Sequence, residues 1–195
     1  TSFREVWDKE QPNTDPVYRD LAKNPVPHLD TDAFFTLMEE PQTERQKEAS
    51  KLHDELVTEI LSADALLISA PMHNWNIPSN LKAWLDQSLI LGRTLPFDPS
   101  VKPLGGRPAT VLLAYGGDYG ADSPDADMDH CGWYLRIVLE RVLGYELEII
   151  TASHTLAPYV SQDPAGAERA ALSFHQAESA VLERAKAVAG ALDRA

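Results

Sequence analysis

The sequence predicts an α/β domain: a doubly wound parallel sheet with helices on both faces. Three observations carry that prediction. Residues 65–70, 109–114 and 147–151 are short, almost continuously apolar runs, the pattern of strands covered on both sides. Each is followed by a longer stretch whose apolar residues repeat at helical spacing. Strands alternating with helices mean βαβ units, whose right-handed crossovers place helices above and below the sheet.

In chain order, Phe3, Val6 and Trp7 fall at i, i+3 and i+4 and read as the middle of an amphipathic helix. Thr1 is not an initiator methionine, so further sequence is expected before it, with a first strand that completes a five-stranded sheet. Pro12 and Pro16 bracket a break. Val17 and Tyr18, running into Arg19, Asp20 and Leu21, read as a short strand. Asn24-Pro25-Val26-Pro27 reads as an extended surface loop, because alternating prolines cannot donate to a ladder. Thr43 and Gln46 have capping-box spacing. The helix they open carries Ala49, Leu52, Leu56 and Ile60 on one face and should stop near Ser62 to Asp64. Pro71 ends the first clear strand, and Leu81, Trp84, Leu85 and Leu89 mark the next helix. A Pro- and Gly-rich loop over 93–107 leads to the second clear strand. The following helix places Cys131, Tyr134, Leu135, Val138, Leu139 and Val142 on one face, with Gly144 as its stop. After the third strand, Ala167, Ala170, Phe174, Ala177, Val181, Ala185 and Val188 form the stripe of a last helix. Without repeats or low-complexity segments, residues 1–195 read as one domain.

Composition removes several function classes. A chain of 195 residues buries about 70% of its unfolded surface and needs no staples. The formal net charge of −13 argues against nucleic acid and anionic membrane partners. No apolar run is long enough to span a bilayer. A single cysteine, Cys131, leaves no internal disulfide and no Cys-rich zinc site, which suits a reducing compartment such as the cytoplasm. Its place on an apolar helical face makes it a core thiol. Gly-x-Gly-x-x-Gly, Walker A and Gly-x-Ser-x-Gly motifs are all missing. Asp125, Asp127 and Asp129 begin like a calcium loop, but His130 stands where glycine is needed and Arg136 where the closing glutamate is needed. The run therefore reads as a helix N-terminus, and no metal is expected.

Ligands in such sheets bind beyond the carboxyl ends of the strands. Two loops there have unusual composition. The first, between Pro71 and Pro78, sets Asn74 and Asn76 beside Trp75: amides suited to the polar edge of a planar heterocycle, and a ring suited to its face. The alternative is a turn shaped by the prolines with Trp75 in the core. The second loop holds Gly116 and Gly117, whose N–H groups can approach a ligand closely; a plain tight turn is the alternative. Gly105-Gly106 precedes a strand and reads as structural. His73 is the one histidine on either loop.

The stretch Ala70-Pro71-Met72-His73-Asn74-Trp75-Asn76-Ile77-Pro78-Ser79-Asn80-Leu81-Lys82-Ala83-Trp84-Leu85-Asp86 resembles the FMN-dependent NADH:azoreductases and related NAD(P)H:quinone reductases of the flavodoxin-like superfamily. Asp20-Leu21-Ala22, Asn24-Pro25-Val26-Pro27, the helix start from Thr43, Gly92-Arg93-Thr94-Leu95 and Tyr115-Gly116-Gly117 extend the resemblance over essentially the whole chain. It implies a flavodoxin-like fold, bound FMN, NADH or NADPH as electron donor, a quinone or azo compound as acceptor, and a homodimer. By position, Met72, His73, Asn74 and Trp75 match the segment lining the isoalloxazine, and Ala114, Tyr115, Gly116 and Gly117 match the second flavin loop. His73 replaces the family's usual tyrosine and Ala114 its frequent serine. Phe97 falls near the aromatic that reaches the partner subunit's flavin. The family's Ser-rich phosphate loop is expected before Thr1, so no phosphate ligand is named. The expected activity is hydride passage from NAD(P)H through flavin to the acceptor by a ping-pong scheme, with His73 the one side chain with a possible catalytic role. Two other readings stay open: an electron carrier or non-catalytic binding module, and a dedicated biosynthetic quinone reductase.

Overall fold

A computed structural model describes residues 2–160 and 164–193. Its sheet is parallel and ordered β1 (Leu66–Pro71), β2 (Pro108–Ala114), β3 (Glu146–Ala152). Leu66 faces Ala109 and Pro108 faces Glu146, so Pro71, Ala114 and Ala152 finish at one level. The helices are α1 (Ser2–Glu10), α2 (Thr31–Phe35), α3 (Glu44–Ser62), α4 (Ser79–Ser88), α5 (His130–Leu135), α6 (Ala157–Val160) and α7 (Pro164–Leu192). A π-helical segment, Arg136–Leu143, continues α5 to Gly144, whose φ of 88° ends it in the left-handed region.

Apolar layers pack on both faces of the sheet, the second of them over β2 and β3. On one face Leu56 of α3, Leu81 and Leu85 of α4 and Leu135 of α5 pack on Ile68, Val111 and Leu113. On the other, Phe3 of α1 and Val181 and Ala185 of α7 pack with Ile150. The capping box at the start of α3 forms as its spacing predicts: the Thr43 hydroxyl accepts from Gln46 N, and the Gln46 side chain accepts from Thr43 N.

Among the described residues the sheet has three strands, where five were expected with the first of them placed before Thr1. The structure corrects four expectations. Val17 and Tyr18 form no strand and are largely exposed. The segment instead lies against helices: Arg19 pairs with Glu55 and Glu59 of α3, and Leu21 O accepts from Asn80 Nδ2. An extended run becomes a strand only when a neighbouring edge takes its backbone bonds. The proline-rich loop is not wholly at the surface, since Val26 is buried in the core beside α3 and α4. β1 is covered on one face only, with Leu67 41% exposed on the other. The stripe of α7 is likewise buried only in its second half; Val181, Ala185 and Val188 are covered while Phe174 is 59% exposed. Helical spacing identifies a stripe but not how far along it a partner extends.

Candidate functional site

Because the strands end level, the loops after β1 and β2 start side by side. Met72 N donates to Ala114 O at 2.9 Å, carrying the ladder one residue past β1. The chain then turns back at once. His73 N donates to Asn76 O at 2.8 Å and Asn76 N to His73 O at 3.1 Å, closing a two-residue turn. Its central residues, Asn74 and Trp75, have φ of 48° and 64°, the geometry of a primed turn usually built with glycine. Asparagine tolerates this backbone, but for tryptophan it costs roughly 1–2 kcal/mol. Asn76 Oδ1 accepts from Ile77 N and fixes the exit of the turn.

The second loop is tied by its carbonyls. Tyr115 O accepts from Thr155 N and Thr155 Oγ1, Gly116 O from Leu156 N, and Gly117 O from His154 N. His154 itself has φ of 61°. Among the described residues, nothing accepts from the N–H groups of Asn74, Trp75, Gly116 or Gly117. Two adjacent loops therefore present four uncommitted backbone donors at the carboxyl edge of the sheet. This set needs no charged side chain to receive an electron-rich or anionic ligand edge.

Tyr115 and Asp129 join this site to α5. Tyr115 is buried, and its hydroxyl donates to Asp129 at 2.9 and 3.0 Å to the two carboxylate oxygens. Burial and the nearby carboxylate push the phenol far above its ordinary range, so it remains a protonated donor. Asp129 also caps α5, accepting from Cys131 N and Gly132 N. Tyr119 stacks edge-on against Tyr115, centroids 5.5 Å apart, and lines with it a cavity of about 400 Å³ that reaches Thr151 and Ser153. The Cys131 thiol is buried as expected and is raised to about 12, chiefly by burial. Among the described residues no cluster of His, Cys, Asp or Glu is arranged to hold a metal.

The structure brings Met72, His73, Asn74, Trp75, Tyr115, Gly116 and Gly117 together on the two neighbouring loops, with Ala114 at the end of β2 between them. Trp75 is 46% exposed, so it is not the core residue of the alternative reading. His73 and Asn74 are exposed beside it. Phe97 is not brought to these loops; it lies over Gly92 with most of its ring in solvent. Sequence reasoning missed His154 and Leu156, which brace the glycine loop, and gave Asp129 only a helix-start role. A short Asp-His pair before an apolar helical stripe was the available signal for the cap, but nothing local marks its bond to Tyr115.

A parallel α/β sheet with a ligand-ready carboxyl edge defines a class of binding and redox domains. A family model described as flavodoxin-like fold matches residues 1–177, and the chain belongs to that family. A relative from Streptomyces coelicolor, an FMN-dependent NADH:quinone oxidoreductase, is 39% identical over 190 residues, covering 95% of this chain and 84% of that protein. One of the same description from Azotobacter vinelandii is 42% identical over 154 residues, 77% of this chain and 75% of its own. The crystal structure of an FMN-dependent NADH-azoreductase from Bacillus anthracis in complex with FMN superposes with a TM-score of 0.77 at 24% identity, covering 94% of this chain and 88% of that one. That likeness bears on the fold.

Proposed function

We propose that this chain is an FMN-dependent oxidoreductase that carries reducing equivalents from NADH to quinones, with azo compounds as further acceptors. The observation that carries the reading is the set of four free amides on two adjacent loops, in a chain 39% identical to an FMN-dependent NADH:quinone oxidoreductase over nearly its whole length. The residues fit the cofactor. The N–H groups of Asn74, Trp75, Gly116 and Gly117 would hold the polar edge of its planar ring, beside the half-exposed Trp75. Bound FMN supplies the centre that accepts and returns hydride. The protein holds that ring, and its amides stabilise negative charge gained on reduction. One site would serve NADH and the acceptor in turn, a ping-pong scheme that needs no separate nicotinamide fingerprint. His73, exposed at the turn, is the one side chain there suited to tune proton delivery, which solvent otherwise provides.

NADH is taken as the donor because it is the donor in the description of the Streptomyces coelicolor relative. We extend the reading to a homodimer in which Phe97, bare in the single chain, covers the partner's site. Among the described residues no helix is long and apolar enough to cross a membrane. Together with a lone buried thiol, this suits the cytoplasm.

The test is the visible spectrum of the purified protein with added FMN, followed by NADH without oxygen and then a quinone. Bound flavin that NADH bleaches and the quinone restores is the expected result. Flavin that binds but ignores NADH makes the chain an electron carrier, and no flavin binding makes it a binding module of another kind.

A further inference from the structure

The two loops of the site share one fastener outside them. Asp129 accepts the Tyr115 hydroxyl through both carboxylate oxygens and so anchors the start of the glycine loop. The next residue, His130, donates its backbone N–H to Trp75 O at 3.1 Å and so anchors the primed turn. These contacts join residues 14 positions apart in the first case. The carboxylate is itself locked by Cys131 N and Gly132 N at the first turn of α5. Gly132 permits this: a Cβ there would stand 2.7 Å from Asp129 Oδ2 and 3.2 Å from the Tyr115 hydroxyl.

We infer that the Asp129–His130 pair is a positioning element of the site, holding the primed turn and the glycine loop at one fixed separation so that their free amides act on a single ligand. The inference rests on the proposed FMN reading. Neither residue touches the cofactor in this scheme; Asp129 acts through Tyr115, and His130 acts through Trp75. A primed turn with two non-glycine residues in left-handed conformation tends to relax. A glycine-bearing loop held through Tyr115 N, which donates to Ala152 O at 2.8 Å, and through its carbonyls, with the Gly116 and Gly117 N–H groups uncommitted, can still rock about those bonds. One rigid helix end, fastened to both, removes the two freedoms together. The paired geometry is then set before the ligand arrives, which lowers the ordering cost of binding.

The test compares FMN affinity, by quenching of flavin fluorescence, in the wild type and in Tyr115→Phe, His130→Pro and Gly132→Ala. Circular dichroism establishes that each apoprotein is folded at the assay temperature. Tyr115→Phe removes only the hydroxyl. His130→Pro removes the N–H to Trp75 together with the imidazole, at the first helical position, where proline is accepted; His130→Ala removes the imidazole but keeps that N–H and serves as its comparator. Loss of one charge-assisted bond is expected to weaken FMN binding roughly tenfold in Tyr115→Phe. His130→Pro should weaken it more than His130→Ala does, and both should shift the visible band of bound flavin. The combined Tyr115→Phe and His130→Pro change should cost less than the product of the two. A purely structural role predicts lower melting temperatures with unchanged FMN affinity and spectrum in the folded variants; that result overturns the inference. A wild type that binds no FMN overturns the functional reading instead, and the two failures are told apart by the wild-type titration alone.

Discussion

Gly116 is where the glycine loop meets the chain leaving β3, and substituting it tests how tightly the two are fitted. A Cβ at Gly116 would lie 2.6 Å from Leu156 Cδ1, 3.0 Å from its Cγ and 3.6 Å from its Cβ. Moving the tip of Leu156 alone does not clear the contact, because its Cγ is also tight; relief needs a change at χ1 on a backbone held by the N–H bond to Gly116 O at 3.3 Å. Gly116→Ala is therefore an overpacking change, expected to cost about 1–3 kcal/mol. For a chain of this size that lowers the melting temperature by roughly 2–12 °C. Gly117→Ala is the internal comparison. Its Cβ would meet Tyr119 at 3.4 Å, ordinary contact, and its φ is not positive. There the smaller conformational freedom of the unfolded alanine chain should leave stability unchanged or raise it by up to about 1 kcal/mol. Thermal melts followed by circular dichroism separate the two. Leu156→Ala, at a half-exposed position, should restore at least half of the loss when combined with Gly116→Ala. A Gly116→Ala protein that melts with the wild type, or a double variant whose losses merely add, would refute this account of the contact.

Two further changes have signs fixed by burial. Tyr145 is buried, and its hydroxyl has no hydrogen-bond partner among the described residues. Tyr145→Phe should therefore stabilise the fold by about 1–2 kcal/mol, read as a higher urea midpoint with an unchanged slope. His53 is buried between Thr36, whose Oγ1 is 3.3 Å from Nδ1, and Gln87, whose Oε1 is bonded to Nε2. Burial first, and then Arg93, lower its pKa from 6.5, against opposing contributions from Gln87 and Asp54. The unfolded chain takes up the proton first on acidification, so this contribution to stability is present above pH 6.5 and is lost as the pH falls towards the lower folded value. His53→Gln should flatten the fall in urea midpoint between pH 7.5 and pH 5, and an unaltered slope would contradict the assignment.

The strands β1, β2 and β3 were legible because a short apolar run between turn residues has few other uses in a chain of this composition. The capping box at Thr43 and the left-handed stop at Gly144 were equally legible, since each depends on residues within a turn of one another. Val17 and Tyr18 misled because strand character depends on a partner edge, which local sequence does not contain. The open half of α7 was hidden for a related reason: Phe174 has the right spacing, but burial depends on what lies opposite. The prolines and glycines of the two loops marked their place after β1 and β2. The primed turn at Asn74 and Trp75 was not legible, because no glycine announces its two positive φ angles. Nor was the bond from Tyr115 to Asp129, which joins the end of a strand to a helix cap.

The level finish of the three strands has an electrical consequence. The carbonyls of Tyr115, Gly116 and Gly117 are all turned to the chain leaving β3, and the N–H groups of Gly116 and Gly117 are left over. The loop is thus polarised into a small positive pole on a molecule of net charge −13. Backbone amides neither gain nor lose protons in water at ordinary pH, unlike lysine or histidine side chains. Attraction by these amides does not titrate away, so any pH response of what is held there comes from groups other than the donors themselves.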